Sequence, residues 1–67
     1  MSRLMDITVI LVHQTDGAIL VAEDEEHEGV WLPKSRVEFV VIRKTKSGHD
    51  VAEVTLPEHL AQEKGLI

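Results

Sequence analysis

The chain contains no cysteine, and this absence constrains its fold more than any other feature, because 67 residues must hold together without a disulfide or a thiolate zinc site. A chain of this length buries only about 60% of the surface that its unfolded form exposes. One core of aliphatic and aromatic side chains must therefore supply almost all of the stability. We predict a single domain over residues 1–67.

Large side chains are scarce, since Trp31 and Phe39 are the only aromatic residues of the Phe, Trp and Tyr class. Trp31 lies in a short apolar run that Pro33 ends, because proline has no backbone donor for a strand to continue. We favour Trp31 as the anchor of the core, since so short a chain can hardly leave its largest apolar group in water. The alternative is a half-exposed Trp31 that forms a binding hot spot.

Runs of β-branched and apolar residues predict five strands, at Leu4–His13, Ala18–Ala22, Val30–Leu32, Val37–Arg43 and Val51–Leu56. The first run is apolar on both faces, which is typical of a central strand. An Asp-Gly pair at 16–17 predicts the first hairpin turn. In the second turn, Gly48 is suited to a positive φ.

After the last strand the pattern changes to that of one short helix, Pro57–Lys64, with proline at its first position and Gly65 as its C-terminal cap. Eight residues are too few to be helical alone, so Leu60, Ala61 and Leu66 must dock on the sheet. The predicted fold class is α+β and mostly β. About five short antiparallel strands form a curled sheet or a small, partly open barrel, with one short C-terminal helix.

Charge is segregated along the chain, whose net charge is −5. A negative net charge argues against broad non-specific binding to nucleic acid. Residues 23–28, which we call the acidic loop, are too charged to pack in a core. They form a solvated loop, a docking surface for a basic partner or a weak metal-binding loop. The acidic loop carries five carboxylates, on Glu23, Asp24, Glu25, Glu26 and Glu28.

A basic group follows, and its residues are Lys34, Arg36, Arg43, Lys44 and Lys46. If the flanking strands pair, we expect Arg36 to lie near the basic residues of the second hairpin. The functional interpretation is contact with phosphate or with a partner protein. The alternative is that these charges keep a hairpin in solution or pair with neighbouring acids.

No pattern of reactive side chains indicates catalysis, a metal site or a cofactor. The serines lack a nucleophile motif, the four glycines stand alone, and no two of the four histidines have the spacing of metal ligands. So short a chain also lacks room for a deep pocket. We therefore expect a protein that is not an enzyme and has no cofactor.

The start of the chain, residues 1–6, is a poor match to a signal peptide, because an acidic residue precedes any apolar run. No apolar run approaches the length of a membrane span. We expect a cytoplasmic protein that does not associate with membranes.

Two segments, Val30–Ser35 (Val-Trp-Leu-Pro-Lys-Ser) and 54–67 (Val-Thr-Leu-Pro-Glu-His-Leu-Ala-Gln-Glu-Lys-Gly-Leu-Ile), together resemble a family of short phage and prophage proteins of uncharacterised function. The run Ala18–Val21 before the acidic loop is also similar, so the resemblance covers residues 17–67. Members often carry an aromatic residue where this chain has His59. The resemblance implies a phage context in a bacterial host, and it implies no functional residue.

Our first hypothesis is a phage-type accessory protein that binds a host protein through the acidic loop and nearby strand edges. It would act as an inhibitor, in the manner of an anti-CRISPR, of a host defence nuclease complex. One alternative is a small nucleic-acid-binding β-barrel that uses the basic group. A second is a structural or assembly factor, in which the run Val37–Ile42 pairs with a second copy if it lies at a sheet edge.

Overall fold

A computed structural model describes residues 3–67, which form one open five-stranded antiparallel sheet and one short α-helix. The prediction of a mostly β fold with about five strands and a C-terminal helix is confirmed. The elements are β1 (Leu4–Gln14), β2 (Ala18–Ala22), β3 (Val30–Pro33), a 3-10 helix (Lys34–Arg36), β4 (Glu38–Lys44), β5 (Asp50–Pro57) and α1 (Glu58–Glu63).

The longest strand, β1, organises the sheet, whose strand order is β3-β2-β1-β5-β4. Its residues 4–11 pair with β5, and its residues from Ile10 to Gln14 pair with β2. The prediction that the first strand is central is confirmed. The outer strands of the sheet are β3 and β4.

The sheet is strongly coiled, as the link between its two outer strands requires. Pro33, at the end of β3, lies beside the Gln14 end of β1. Glu38, at the start of β4, lies level with Asp6, near the other end of β1. Asp6 and Gln14 would be about 26 Å apart along a straight strand. The five-residue step from Pro33 to Glu38 spans at most about 17 Å, so the sheet must curl to bring its edges together.

One face of the coiled sheet holds the core, which α1 covers with the buried side chains of Leu60 and Ala61. Leu66 packs against the same cluster, so the predicted docking of the helix is confirmed. Most of the cluster is aliphatic and comes from the strands. Its buried strand and loop residues are Val9, Leu11, Ile19, Val21, Leu32, Val37, Ala52, Val54 and Leu56.

The helix begins one residue later than predicted, because Pro57 has an extended backbone (φ −61°, ψ 138°) and still pairs with β1. The helix also ends one residue earlier than predicted, at Glu63, but its cap is as predicted, with Gly65 in the left-handed region at φ 73°. The Leu66 N–H donates to the Ala61 carbonyl (2.9 Å) and the Gly65 N–H to that of Gln62 (3.2 Å), which together form a Schellman cap. No helix formed by residues 3–67 has the length and apolar character that a bilayer crossing requires.

Trp31 is not in the core, and the favoured prediction for it is wrong. In β3, Leu32 is fully buried opposite Ile19, whereas Trp31 is 45% exposed and lies opposite Leu20 on the other face of the sheet. Successive side chains of a strand point to opposite faces, so only one of the two neighbours can enter the core. Leu32 occupies that side, and aliphatic residues fill the core without the indole.

Candidate functional site

The acidic loop, residues 23–28, is exposed but has a defined shape, because two of its carboxylates bind within the protein. Asp24 Oδ1 accepts hydrogen bonds from the backbone N–H groups of Glu26 and His27, both at 2.9 Å. The same oxygen lies 2.6 Å from Nδ1 of His27. The His27 hydrogen bond lowers the pKa of Asp24, with help from the Glu26 N–H, and Asp24 in turn raises the pKa of His27.

Glu25 ties the acidic loop to the turn between β4 and β5. Its carboxylate accepts hydrogen bonds from the hydroxyls of Thr45 (3.0 Å) and Ser47 (3.3 Å), and its Oε1 lies 2.9 Å from Nδ1 of His49. These partners lower the pKa of Glu25, with the Thr45 hydroxyl as the largest cause. Because the partners lie 20 to 24 positions away in the sequence, the contact is a tertiary one.

The other three acids of the loop, Glu23, Glu26 and Glu28, are exposed, and within residues 3–67 their side chains form no hydrogen bond or ion pair. The carboxylates of the acidic loop therefore have two different roles. Asp24 and Glu25 hold its conformation, and the remaining carboxylates face solvent. The five acids are equivalent in the sequence, because nothing local distinguishes Glu25 from Glu26.

The predicted basic group is not one surface. Arg36 lies beside the start of β4, where it lines an open crevice with Glu38. The other end of that seven-residue strand is about 20 Å away along an extended chain. The expected proximity of Arg36 to the second hairpin is therefore wrong, since an extended strand separates them. The residues at or beyond the far end of β4 are Arg43, Lys44 and Lys46.

Neighbouring acids also reduce the positive field at the second hairpin. Lys44 Nζ is 3.3 Å from Asp50 Oδ1, and the Glu25 carboxylate lies against the same turn. Lys34, the remaining basic residue, donates from Nζ to Gln14 Oε1 at 3.2 Å. A continuous basic track, which binding to a phosphate backbone requires, is not formed by these side chains.

On the face of the sheet opposite α1, Trp31 completes a row across three strands, because His13 pairs with Leu20 and Leu20 with Trp31. The rings of His13 and Trp31 are edge-to-face, with centroids 6.3 Å apart and planes at 86°. Such a contact restrains the indole. Next to His13, at the bulge of β1, Val12 exposes 47% of its surface.

Gly29 joins this face to the acidic loop. A Cβ atom at Gly29 would lie 2.7 Å from Cδ1 of Leu20, so a larger residue at this position would have to displace the Leu20 side chain. The strand that carries Trp31 begins at the next residue, Val30. The acidic loop thus ends directly at the Trp31 face, which we define as His13, Leu20 and Trp31.

The second apolar surface is the outer strand β4. Three consecutive side chains, Val40, Val41 and Ile42, are exposed by 57%, 44% and 48%. Among the strands of residues 3–67, only β5 pairs with β4. The sequence of the run Val37–Ile42 does not place it at an edge of the sheet, since that position follows from its pairing with β5 alone.

Metal-ligating side chains do not gather in the described part of the chain, since no three of its His, Asp and Glu residues are placed to hold one ion. His13 contacts Trp31 and His49 contacts Glu25, so the two histidines that flank the predicted turns have separate structural partners.

A comparison of the chain with protein families, with curated protein sequences and with solved structures finds no match.

Proposed function

We propose that the chain is a small accessory protein that works by binding another protein through the Trp31 face and the adjoining acidic loop. The observation that carries this proposal is the position of Trp31, the only tryptophan in the chain, which is 45% exposed and held edge-on by His13. Tryptophan is enriched among residues that dominate the binding energy of interfaces. A restrained indole also loses little conformational entropy on binding.

The chemistry of the surface suggests the kind of partner. An apolar row needs a complementary apolar pocket, and the open carboxylates of Glu23, Glu26 and Glu28 favour a partner with basic residues around that pocket. Asp24 and Glu25 fix the loop beforehand, which lowers the entropic cost of association. A protein that normally holds phosphate groups would present such a surface.

The biological setting of this proposal rests on the resemblance to short phage and prophage proteins. In that setting the partner is a protein of the bacterial host cytoplasm, and binding would block or modulate it. A nuclease complex of a host defence system fits the proposed chemistry, because its nucleic-acid site is basic. Inhibition of such a complex is the specific form of the function that we propose.

Two variants test the proposal after affinity capture from a bacterial lysate has identified the partner. Trp31→Ala removes the proposed hot spot, and we expect a loss of affinity of at least about 30-fold, as for a side chain that contributes 2 kcal/mol or more. Leu4→Ala is the matched control, because Leu4 is 69% exposed and lies at the opposite end of β1 from His13. Equal effects of the two substitutions would refute the assignment of the binding surface.

The second variant replaces Glu23, Glu26 and Glu28 with Gln and leaves the two anchoring acids in place, so that charge is removed without loss of loop shape. We expect slower association at low salt, because rim charges act mainly on the encounter rate. Fluorescence of Trp31 during titration with single-stranded DNA or RNA at about 50 mM salt tests the alternative, a nucleic-acid-binding protein. Saturable quenching there would favour a nucleic-acid-binding function instead.

A further inference from the structure

We propose that β4 is a self-association edge, through which two copies of the chain pair antiparallel to form a continuous ten-stranded sheet. The starting observation is the run of exposed apolar side chains Val40, Val41 and Ile42 on a strand with one free edge. Such a strand presents unpaired N–H and C=O groups along its length, and soluble proteins usually protect it. Three successive exposed aliphatic residues indicate a function for this edge.

The two edges of the sheet differ in this respect. The outer strand β3 has four residues, ends in Pro33 and passes directly into the 3-10 helix, so it offers little length for pairing. The outer strand β4 has seven residues and contains no proline. Its free edge is therefore the one suited to accept another strand.

The side chains of β4 are arranged in a self-complementary way. Its register with β5 puts Glu38, Val40 and Arg43 on one face, because their partners alternate along β5, and puts Phe39 and Val41 on the other face. The irregularity between Val41 and Arg43 brings Arg43 onto the face of Glu38. A regular strand would have placed the residue at position 42 there instead.

A twofold axis through Val40 pairs the β4 strands of two copies so that these side chains match. Val40 then faces the partner's Val40, and Phe39 faces the partner's Val41 on the other side of the sheet. Because position 42 is bulged, Glu38 falls opposite the partner's Arg43 at both ends of the interface. Every cross-strand pair is thus apolar with apolar or acid with base, and both kinds stabilise antiparallel pairing.

The charges at the two ends are available for such pairing. Within residues 3–67 neither Glu38 nor Arg43 forms an ion pair or a side-chain hydrogen bond, whereas the neighbouring Lys44 is paired with Asp50. A partner strand with the reverse order of charges would place like charges opposite each other, which disfavours it. A second copy of the chain satisfies the pattern by symmetry.

A dimer of this kind leaves the Trp31 face accessible at the other edge of each sheet. Self-association through β4 and partner binding at the Trp31 face are therefore tested independently. The interface is one strand long, which is small compared with stable dimers. We therefore expect a concentration-dependent equilibrium. Sedimentation of the whole chain from about 10 μM to 1 mM should show a monomer giving way to a dimer. A strict monomer over this range would overturn the proposal.

Charge reversal tests the partner and the register together. We expect Glu38→Arg and Arg43→Glu each to weaken dimerisation at least about tenfold, because each dimer then contains two like-charge pairs. An equimolar mixture of the two variants should restore it, since both contacts become attractive in the mixed dimer. The matched controls are Glu63→Arg and Lys64→Glu, at the exposed end of α1. Equal weakening by the controls, or no restoration in the mixture, would refute the register.

A thiol tests the position of the axis, and the chain has no cysteine to interfere. Directly opposed residues in antiparallel strands have Cβ atoms about 4.5–5.5 Å apart, close to disulfide range. Val40→Cys should therefore form a disulfide dimer at least about tenfold faster than Val12→Cys, since pairing raises the effective thiol concentration. Val12 is similarly exposed, at 47% against 57% for Val40. Equal oxidation rates would place the axis elsewhere and contradict the proposal.

Discussion

Leu32 and Trp31 are adjacent in β3. Truncation of Leu32 should destabilise the fold more than truncation of Trp31, although Trp31 is the larger side chain. Leu32 has no exposed surface, and Trp31 is 45% exposed on the opposite face. We expect Leu32→Ala to cost more free energy of unfolding than Trp31→Ala. The comparison is informative because both side chains come from the same short strand, whose backbone pairs with β2.

The expected magnitudes follow from burial. Leu32→Ala removes about three carbon atoms worth roughly 0.8 kcal/mol each and leaves a cavity, so about 3–4 kcal/mol should be lost. A tryptophan has an accessible surface of up to about 250 Å². Since Trp31 is 45% exposed, about 140 Å² of this surface is buried. Alanine would retain about half of that, and the remaining 70 Å² corresponds to about 2 kcal/mol as an upper bound. No closed cavity forms at an exposed site.

Urea unfolding followed by far-UV circular dichroism measures both variants, since Trp31→Ala removes the fluorescent probe. The wild type should have a stability of about 3–10 kcal/mol for a chain of 67 residues. Leu32→Ala should therefore unfold at far lower urea concentration, and in the lower part of that range it would be largely unfolded without urea.

The result that would refute this reasoning is a loss at Trp31→Ala equal to or larger than that at Leu32→Ala. Such a result would mean that the indole is enclosed and that the Trp31 face is part of the core. Acrylamide quenching of the wild-type fluorescence gives an independent check, because a half-exposed indole is readily quenched and a buried one is not.

Three further predictions concern the loop, the turns and the helix. Glu25→Gln should lower the free energy of unfolding at neutral pH. Because the pKa of Glu25 is lowered in the folded state, the difference from the wild type should persist down to about pH 4 and vanish as the pH falls through the lowered pKa. Urea unfolding at several pH values measures this difference. Gly48→Ala should cost about 1 kcal/mol, because Gly48 has a φ of 87°, whereas Gly17→Ala, at a negative φ with open space around it, should leave the thermal midpoint almost unchanged. Leu60→Ala should cost about 3 kcal/mol and release α1 from the sheet, which faster amide hydrogen exchange in residues 58–63 would report; unaltered exchange there would mean that the helix is held by other contacts.

Several elements of the fold were predictable because their causes are local. The apolar run of β1 indicated a central strand, and the glycines at 48 and 65 marked the two positions with positive φ. The helix was predictable to within one residue at each end, since its capping sequence is contiguous. The error at Pro57 arose because that residue continues the pairing of β5 with β1.

The candidate surfaces were only partly predictable. The acidic loop was identified from its composition, but the separate task of Glu25 depends on a turn that lies 20 to 24 residues away. The members of the basic group are close in sequence, which predicts one surface. An extended strand places Arg36 and Arg43 at opposite ends, which a charge count along the chain does not report.

Local sequence specifies most of the strands, the turns and the helix, because backbone conformation follows from side-chain type and spacing over a few residues. It does not specify which face of β3 enters the core or which strand lies at the edge of the sheet. Both depend on pairing between distant segments: the register of β3 with β2 turns Leu32 inward and Trp31 outward, and the pairing of β1 with β5 leaves β4 with a free side. A strand with apolar residues on both faces can turn either face to the core, so the elements that it packs against determine which face is buried.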